Sequence, residues 1–177
     1  MKVICISGRA GHGKDTAALL LKGFLVQNGR RVLVTHYADL LKYICRQYFG
    51  WNGEKDIAGR QLLQTVGTDT IREKNPDFWV DFIIEILRFF PDEWDYVIIP
   101  DTRFPNEIDR LKAEEFDVLH VNVYRPDYVS FLTQEQQKHP SETALDGIRA
   151  DVLLMNDGDK SDLGAKIKEM CGSVLHE

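Results

Sequence analysis

The sequence predicts an α/β fold built on a largely parallel sheet, and three observations carry that expectation. Apolar strand-like runs alternate with stretches of helical periodicity along the whole chain. The run Trp94–Pro100 (WDYVIIP) contains the continuous apolar stretch typical of a strand covered on both faces. A glycine-rich turn joins the first apolar run directly to the first helical stretch.

Taken in order, Lys2–Ser7 is the first strand. A helix follows from about Asp15 to Gln27, where Leu20, Leu21, Phe24 and Leu25 fall near helical spacing and Asn28-Gly29 supplies the stop. Arg31–His36 is the second strand and Asp39–Phe49 the next helix. Residues 50–75 are more polar and carry Gly50, Gly53, Gly59 and Gly67, with a helical piece at about Arg60–Val66 and a break at Asn75-Pro76. Phe78–Phe90 reads as a buried helix, Trp94–Pro100 as the third strand, Ile108–Glu115 as a helix and Val118–Tyr124 as the fourth strand. Residues 125–147, poor in apolar side chains, read as a mobile flap. Asp151–Met155 is a fifth short strand, Asn156–Asp159 a turn and Leu163–Met170 a closing helix. No linker interrupts this order, so residues 1–177 read as one domain, with excursions at about 40–75 and 125–147.

The length of 177 residues suits that reading, at roughly 100–200 residues per domain. Apolar residues are 44% and charged residues 28%, which argues against intrinsic disorder. With 22 Lys plus Arg against 28 Asp plus Glu, the net charge of −6 excludes a broadly basic coat for a nucleic-acid polymer but allows a local basic pocket. Cys5, Cys45 and Cys171 are odd in number and widely spaced, with no CxxC, so neither a disulfide framework nor a zinc site is expected. The N-terminal apolar run VICI is too short for a signal peptide, and no apolar stretch has spanning length. A cytoplasmic protein without a membrane partner is expected; the oligomeric state stays open, a homodimer included.

The strongest chemical signal is Gly8-Arg9-Ala10-Gly11-His12-Gly13-Lys14-Asp15-Thr16. It matches GxxxxGK, follows an apolar strand and opens a helix. Glycines let successive backbone N–H groups converge on phosphate oxygens, the helix N-terminus adds favourable dipole charge, and Lys14, expected to be exposed before a nucleotide arrives, can reach the β/γ-phosphates. His12 contributes its backbone. Asp15 stands where Ser or Thr usually binds Mg²⁺; it either holds the ion through water or serves as a helix-terminal carboxylate, with Thr16 next to it.

The second signal is Val97-Ile98-Ile99-Pro100-Asp101-Thr102-Arg103, an apolar strand ending in a metal-side carboxylate. Asp101 and Arg103 leave at the carboxyl edge of the sheet, where ligands of parallel sheets bind; alone they would read as a turn carboxylate and a surface arginine. The third is the segment from Arg60 to Arg72, two arginines flanking a turn at Gly67, with Gln64 between them. Either a phosphate is held there or the helix face is solvated. The flap offers Arg125 as the cation for the transferring phosphoryl group, along with Lys138, His139, Ser141 and Glu142. Trp51, Trp79 and Trp94, with Phe78 and Phe82, either line a base pocket or fill the core. Asn156 and Gly158 either border the base or form a plain turn.

In this set, SGRAGHGKDT, HYADLLK, GRQLLQTVGTDTIR, VIIPDTRFPNE, HPSE and DVLLMNDGD, the chain resembles the phage deoxynucleoside monophosphate kinases, within the P-loop nucleoside-monophosphate kinase-like group. The resemblance runs in order over nearly the whole chain. It implies a three-layer P-loop fold with a five-stranded parallel sheet of order 2-3-1-4-5. It implies transfer of the ATP γ-phosphate, with Mg²⁺, to a deoxynucleoside monophosphate; Asp15, Thr16 and Asp101 are the candidate ligands of the ion. On the acceptor side it suggests Asp39, Lys42, Arg60, Gln64, Arg72 and Arg103. Two other readings remain: a kinase of another phosphorylated acceptor, of the dephospho-coenzyme A or phosphomevalonate type, and a nucleotide-dependent switch or motor. Against the last, no guanine-reading NKxD is present.

Overall fold

A computed structural model describes residues 1–176. Strands β1 (Lys2–Ser7), β2 (Val32–Val34), β3 (Tyr96–Ile99), β4 (Asp117–Tyr124) and β5 (Val152–Met155) form one sheet in the order β2-β3-β1-β4-β5. All four pairings are parallel, with Lys2 opposite both Tyr96 and Asp117. The expected order is the observed one.

Side-chain alternation along the strands divides the interior in two. Ile4 and Ile6 of β1, Ile98 of β3 and Val121 of β4 pack against α1 (Lys14–Gln27) and α8 (Lys160–Met170). Val3 and Cys5 of β1, with Val97 and Ile99 of β3, pack against α4 (Phe78–Phe89) and α5 (Pro105–Ala113). The central strands therefore bury both faces, which is why their sequences are apolar without alternation. Truncating Ile98, fully buried, to alanine should cost about 2–5 kcal/mol, the usual loss for a large core side chain. Cys5, Cys45 and Cys171 lie in three separate apolar clusters, so no disulfide joins them.

The excursions are more ordered than the sequence suggests. After α2 (Ala38–Phe49) comes α3 (Ile57–Gln64), whose N-cap Asp56 accepts from Gly59 N–H at 2.7 Å. The expected turn at Gly67 is absent: the helix continues as a π-helical stretch, Thr65–Arg72. Gly67 is buried against Leu41, and its carbonyl accepts the Trp79 indole N–H at 3.1 Å. The flap likewise folds into α6 (Gln134–Lys138) and α7 (Pro140–Thr143), anchored by buried Leu132 and by Leu145 against the core. Capping explains two early helix starts. Pro105 opens α5 while Glu107 reaches back to the N–H groups of Arg103 and Phe104, and Asp159 caps α8 through Ser161 and Asp162 N–H. No helix among the described residues is long and apolar enough to cross a membrane.

Candidate active site

Because the strands are parallel, the segments after β1, β3, β4 and β5 emerge at one edge. The glycine-rich loop follows β1 and enters α1 through Gly13 in the left-handed region. Gly8 has φ +138, and a β-carbon there would run into the Val123 backbone carbonyl, so only glycine lets the loop lie this close to β4. Asn156, after β5, donates to the His12 carbonyl at 2.9 Å and fixes the loop from the other side.

Lys14 is not exposed as the sequence suggested. It is 8% exposed, and its ammonium donates to the carbonyls of Gly8 at 2.7 Å and Arg9 at 3.0 Å. Burial and the neighbouring Arg103 charge bring its pKa down to about 8. The lysine thus rests inside the loop, close to where a phosphate would draw it.

A cavity of about 640 Å³ opens beside the loop. Ala10, Gly11, Lys14 and Asp15 line it from the loop; Lys42, Arg60, Gln64 and Arg72 from the 40–75 excursion; Asp101 and Arg103 from the exit of β3; Ser141 and Glu142 from the flap. Most of the predicted site residues therefore share one space. Asp101 accepts N–H bonds from Tyr37 at 3.0 Å and Ala38 at 2.9 Å, one on each carboxylate oxygen, and so caps α2. Arg103 donates to the Ser141 carbonyl at 2.9 Å and pairs with Glu142. Asp15 and His36 pair at 3.5 Å; their hydrogen bond holds Asp15 below the usual carboxylate range and raises His36.

Other predicted residues are placed elsewhere. Asp39 lines neither this cavity nor a second one of about 260 Å³ behind the loop, and instead bonds His36 and Lys42. Arg125 is exposed over the Tyr128 ring, 5.1 Å from its centroid, and also lines neither. Thr16, Gly13 and Gly158 do not reach either cavity, and Gly158 packs against Asp162 in the cap of α8. Of the five aromatics offered for a base pocket, only Trp79 lines the cavity. Trp51 sits with Cys45 and Val66 and donates to the Glu54 carbonyl, and Trp94 packs beside Phe90. Trp79 alone of the tryptophans lines the cavity, 4% exposed and with its N–H engaged.

Sequence reasoning passed over four residues that matter to this geometry. Glu107 is 1% exposed and lines the cavity while accepting from Arg72 and two N–H groups. Burial pushes its carboxyl up to about 7, against the Arg72 charge that pulls it down. The asparagine-glutamate pair after a proline was the available signal, read only as part of a motif. His36 was likewise read only as a strand end and the first residue of HYADLLK. Tyr128 covers Gly11 and meets the His12 ring edge-on at 5.9 Å, and Phe131 stacks under Arg60 at 4.8 Å; both lie in the flap, where only polar and charged side chains stood out in the sequence.

Residues 28–167 match the family described as deoxynucleotide monophosphate kinase. A deoxynucleotide monophosphate kinase of Enterobacteria phage T4 is 36% identical over 120 residues, covering 66% of this chain and 46% of that protein. Another, of Escherichia phage RB69, is 26% identical over 164 residues, covering 89% of this chain and 64% of that protein. The chain thus spans about half to two thirds of the length of these relatives. Among solved structures, shikimate kinase from Bacteroides thetaiotaomicron superposes with TM-score 0.58 at 13% identity, over 99% of each chain. The Mycobacterium tuberculosis APS kinase Cys556Ala mutant gives 0.53 at 13% identity, over 97% of each chain. These two likenesses are of fold.

Proposed function

We propose that this chain, which belongs to the deoxynucleotide monophosphate kinase family, transfers the γ-phosphate of ATP to a deoxynucleoside monophosphate. The observation that carries the reading is the single cavity shared by the phosphate loop, the β3 exit and the arginine-bearing excursion. A site for hydrolysis alone needs no second set of phosphate-binding cations. Here Arg60, Arg72 and Lys42 line the space that the loop lysine also lines.

The chain's groups divide the work. Loop N–H groups and Lys14 take the donor phosphates, the ammonium exchanging the Gly8 and Arg9 carbonyls for phosphate oxygens. Arg103 and Arg72 hold the acceptor phosphate so that one oxygen points along the line of displacement. That oxygen bonds to the γ-phosphorus as the bond to the β,γ-bridging oxygen breaks, giving ADP and a deoxynucleoside diphosphate. Asp15 and Asp101, which both line the cavity, offer the hard oxygen donors that Mg²⁺ accepts, mainly through its water shell, since no cluster of three metal-ligating side chains exists among the described residues; Thr16, outside the cavity, is not placed to join them. Bound there, Mg²⁺ would neutralise charge on the donor phosphates. The flap, joined to both loop and excursion, would exclude water. Nucleotide substrates and the buried cysteines support a cytoplasmic place of work.

The test is ADP release with ATP alone, then with each deoxy- and ribonucleoside monophosphate and with dephospho-coenzyme A. Release that requires a deoxynucleoside monophosphate supports the reading. Release with ATP alone, or with dephospho-coenzyme A only, overturns it.

A further inference from the structure

Glu107 joins two parts of the cavity wall that the chain order keeps apart. Its Oε2 accepts from Arg103 N–H at 2.7 Å and Phe104 N–H at 3.1 Å, fixing the backbone where the chain leaves β3. Its Oε1 accepts from Arg72 Nη2 at 2.6 Å, at the end of the π-helical stretch. Arg72 is 11% exposed at the side chain and lies over the Phe104 ring at 3.9 Å. Its other terminal nitrogen donates to the Pro76 carbonyl at 3.1 Å and to Asn106 Oδ1 at 3.3 Å. The guanidinium thus has one orientation, with Nε–H without a partner among the described residues.

We propose that Glu107 is the positioning residue of the acceptor phosphate site: one buried carboxylate sets the Arg103 backbone and docks Arg72, so that both arginines meet the same phosphate in a fixed relation. This rests on the kinase reading above. A carboxylate so buried is costly unless something requires it. A purely structural tie between α5 and the excursion would be met as well by apolar packing, as it is elsewhere in this core. What apolar packing could not supply is a fixed, partly engaged arginine fork facing a polar cavity.

Glu107→Gln keeps the size and one acceptor oxygen but removes the charge that docks Arg72 above about pH 7, where the carboxyl is ionised, so the assays are run at pH 8. Steady-state kinetics with ATP and acceptor varied separately should show the acceptor KM raised about tenfold and kcat lowered, with the ATP KM within about twofold, since the hydrogen bonds of the Glu107 carboxylate go to Arg72, Arg103 and Phe104 and not to the phosphate loop. A double-mutant cycle with Arg72→Lys should be non-additive in kcat/KM for the acceptor, because both changes break one contact. An unchanged acceptor KM, an equal rise in both KM values, or additive effects in a folded protein would overturn the proposal. If Glu107→Gln does not fold, Glu107→Asp, which retains charge but withdraws it by one methylene, must still raise the acceptor KM alone, and failure to do so overturns it equally. Wild-type protein inactive with every nucleoside monophosphate would instead defeat the kinase reading, and that result is seen before any variant is made.

Discussion

Glu142 of the flap accepts a hydrogen bond from Ala10 N–H of the phosphate loop at 3.0 Å, while its other oxygen pairs with Arg103. A carboxylate, 7% exposed at the side chain, thereby occupies a loop donor and a guanidinium that phosphate oxygens would use. Arg9 holds the same flap through Asp146 and the Gln137 carbonyl.

If the nucleotide phosphates take the Ala10 N–H, as proposed for the loop, they displace that carboxylate, and Glu142→Ala should tighten the equilibrium binding of ADP several-fold. Calorimetric titration without acceptor measures it directly. Binding that stays the same or weakens would mean that the nucleotide phosphates avoid the Ala10 N–H and that Glu142 serves only to order the flap.

Asp101 has two tasks that one substitution can separate. It caps α2 through Tyr37 and Ala38 N–H, and its charge is proposed to face Mg²⁺. Asp101→Asn retains one acceptor oxygen, so about 1 kcal/mol of stability should be lost with the second bond. If the charge also serves the ion, the Mg²⁺ concentration for half-maximal rate should rise at fixed ATP. A lowered melting temperature with an unshifted Mg²⁺ titration would leave Asp101 as a cap alone.

Much of the scaffold was legible because its physics is local. Strands β1 and β3 are apolar runs with no polar interruption, and the loop between β1 and α1 announces itself by glycine spacing. The π-helical continuation through Gly67 was not legible, since a glycine between polar residues reads as a turn; only the packing of Leu41 and the Trp79 N–H makes a helix there favourable. The flap misled for a related reason. Its α6 and α7 bury no side chain of their own and are held by contacts to distant Arg9, Ala10 and Asp69, with the apolar anchors Leu132 and Leu145 lying outside both helices. The cavity's cations were found because arginines in a polar segment have few structural tasks. The partners that aim them, Glu107 above all, were not, because a buried carboxylate in sequence is indistinguishable from an exposed one.

The Glu107 carboxyl should also leave a mark on stability against pH. Burial raises it from 4.5 to about 7, so the folded chain holds this proton more tightly than the unfolded one. Its stabilising contribution is full below about pH 4.5 and is lost as the pH rises through about 7. Glu107→Gln lacks the titration. The melting-temperature deficit of the variant should therefore shrink between pH 4.5 and 7.5. A deficit that grows over that range would show that the Arg72 pairing outweighs burial and keeps the carboxylate ionised throughout.

Arg103 separates the acceptor site from the generic loop most sharply. It lines both cavities, and its guanidinium is turned to the flap, on Ser141 and Glu142. In the proposed reaction it exchanges those partners for the acceptor phosphate, a contact that should strengthen as the phosphoryl group moves. Arg103→Ala should thus raise the acceptor KM and lower kcat together, by on the order of 10²-fold in kcat as for other lost stabilisers of developing charge. The ATP KM should fall or stay level, because the same change frees Glu142 from its pair and loosens its hold on Ala10. Arg103→Lys should recover only part of the loss, since an ammonium lacks the two-pronged geometry that aligns a phosphate. Varying ATP and acceptor separately for the wild type and both variants decides the matter. A rise confined to the ATP KM would move Arg103 to the donor side, and full recovery by lysine would reduce its part to bare charge.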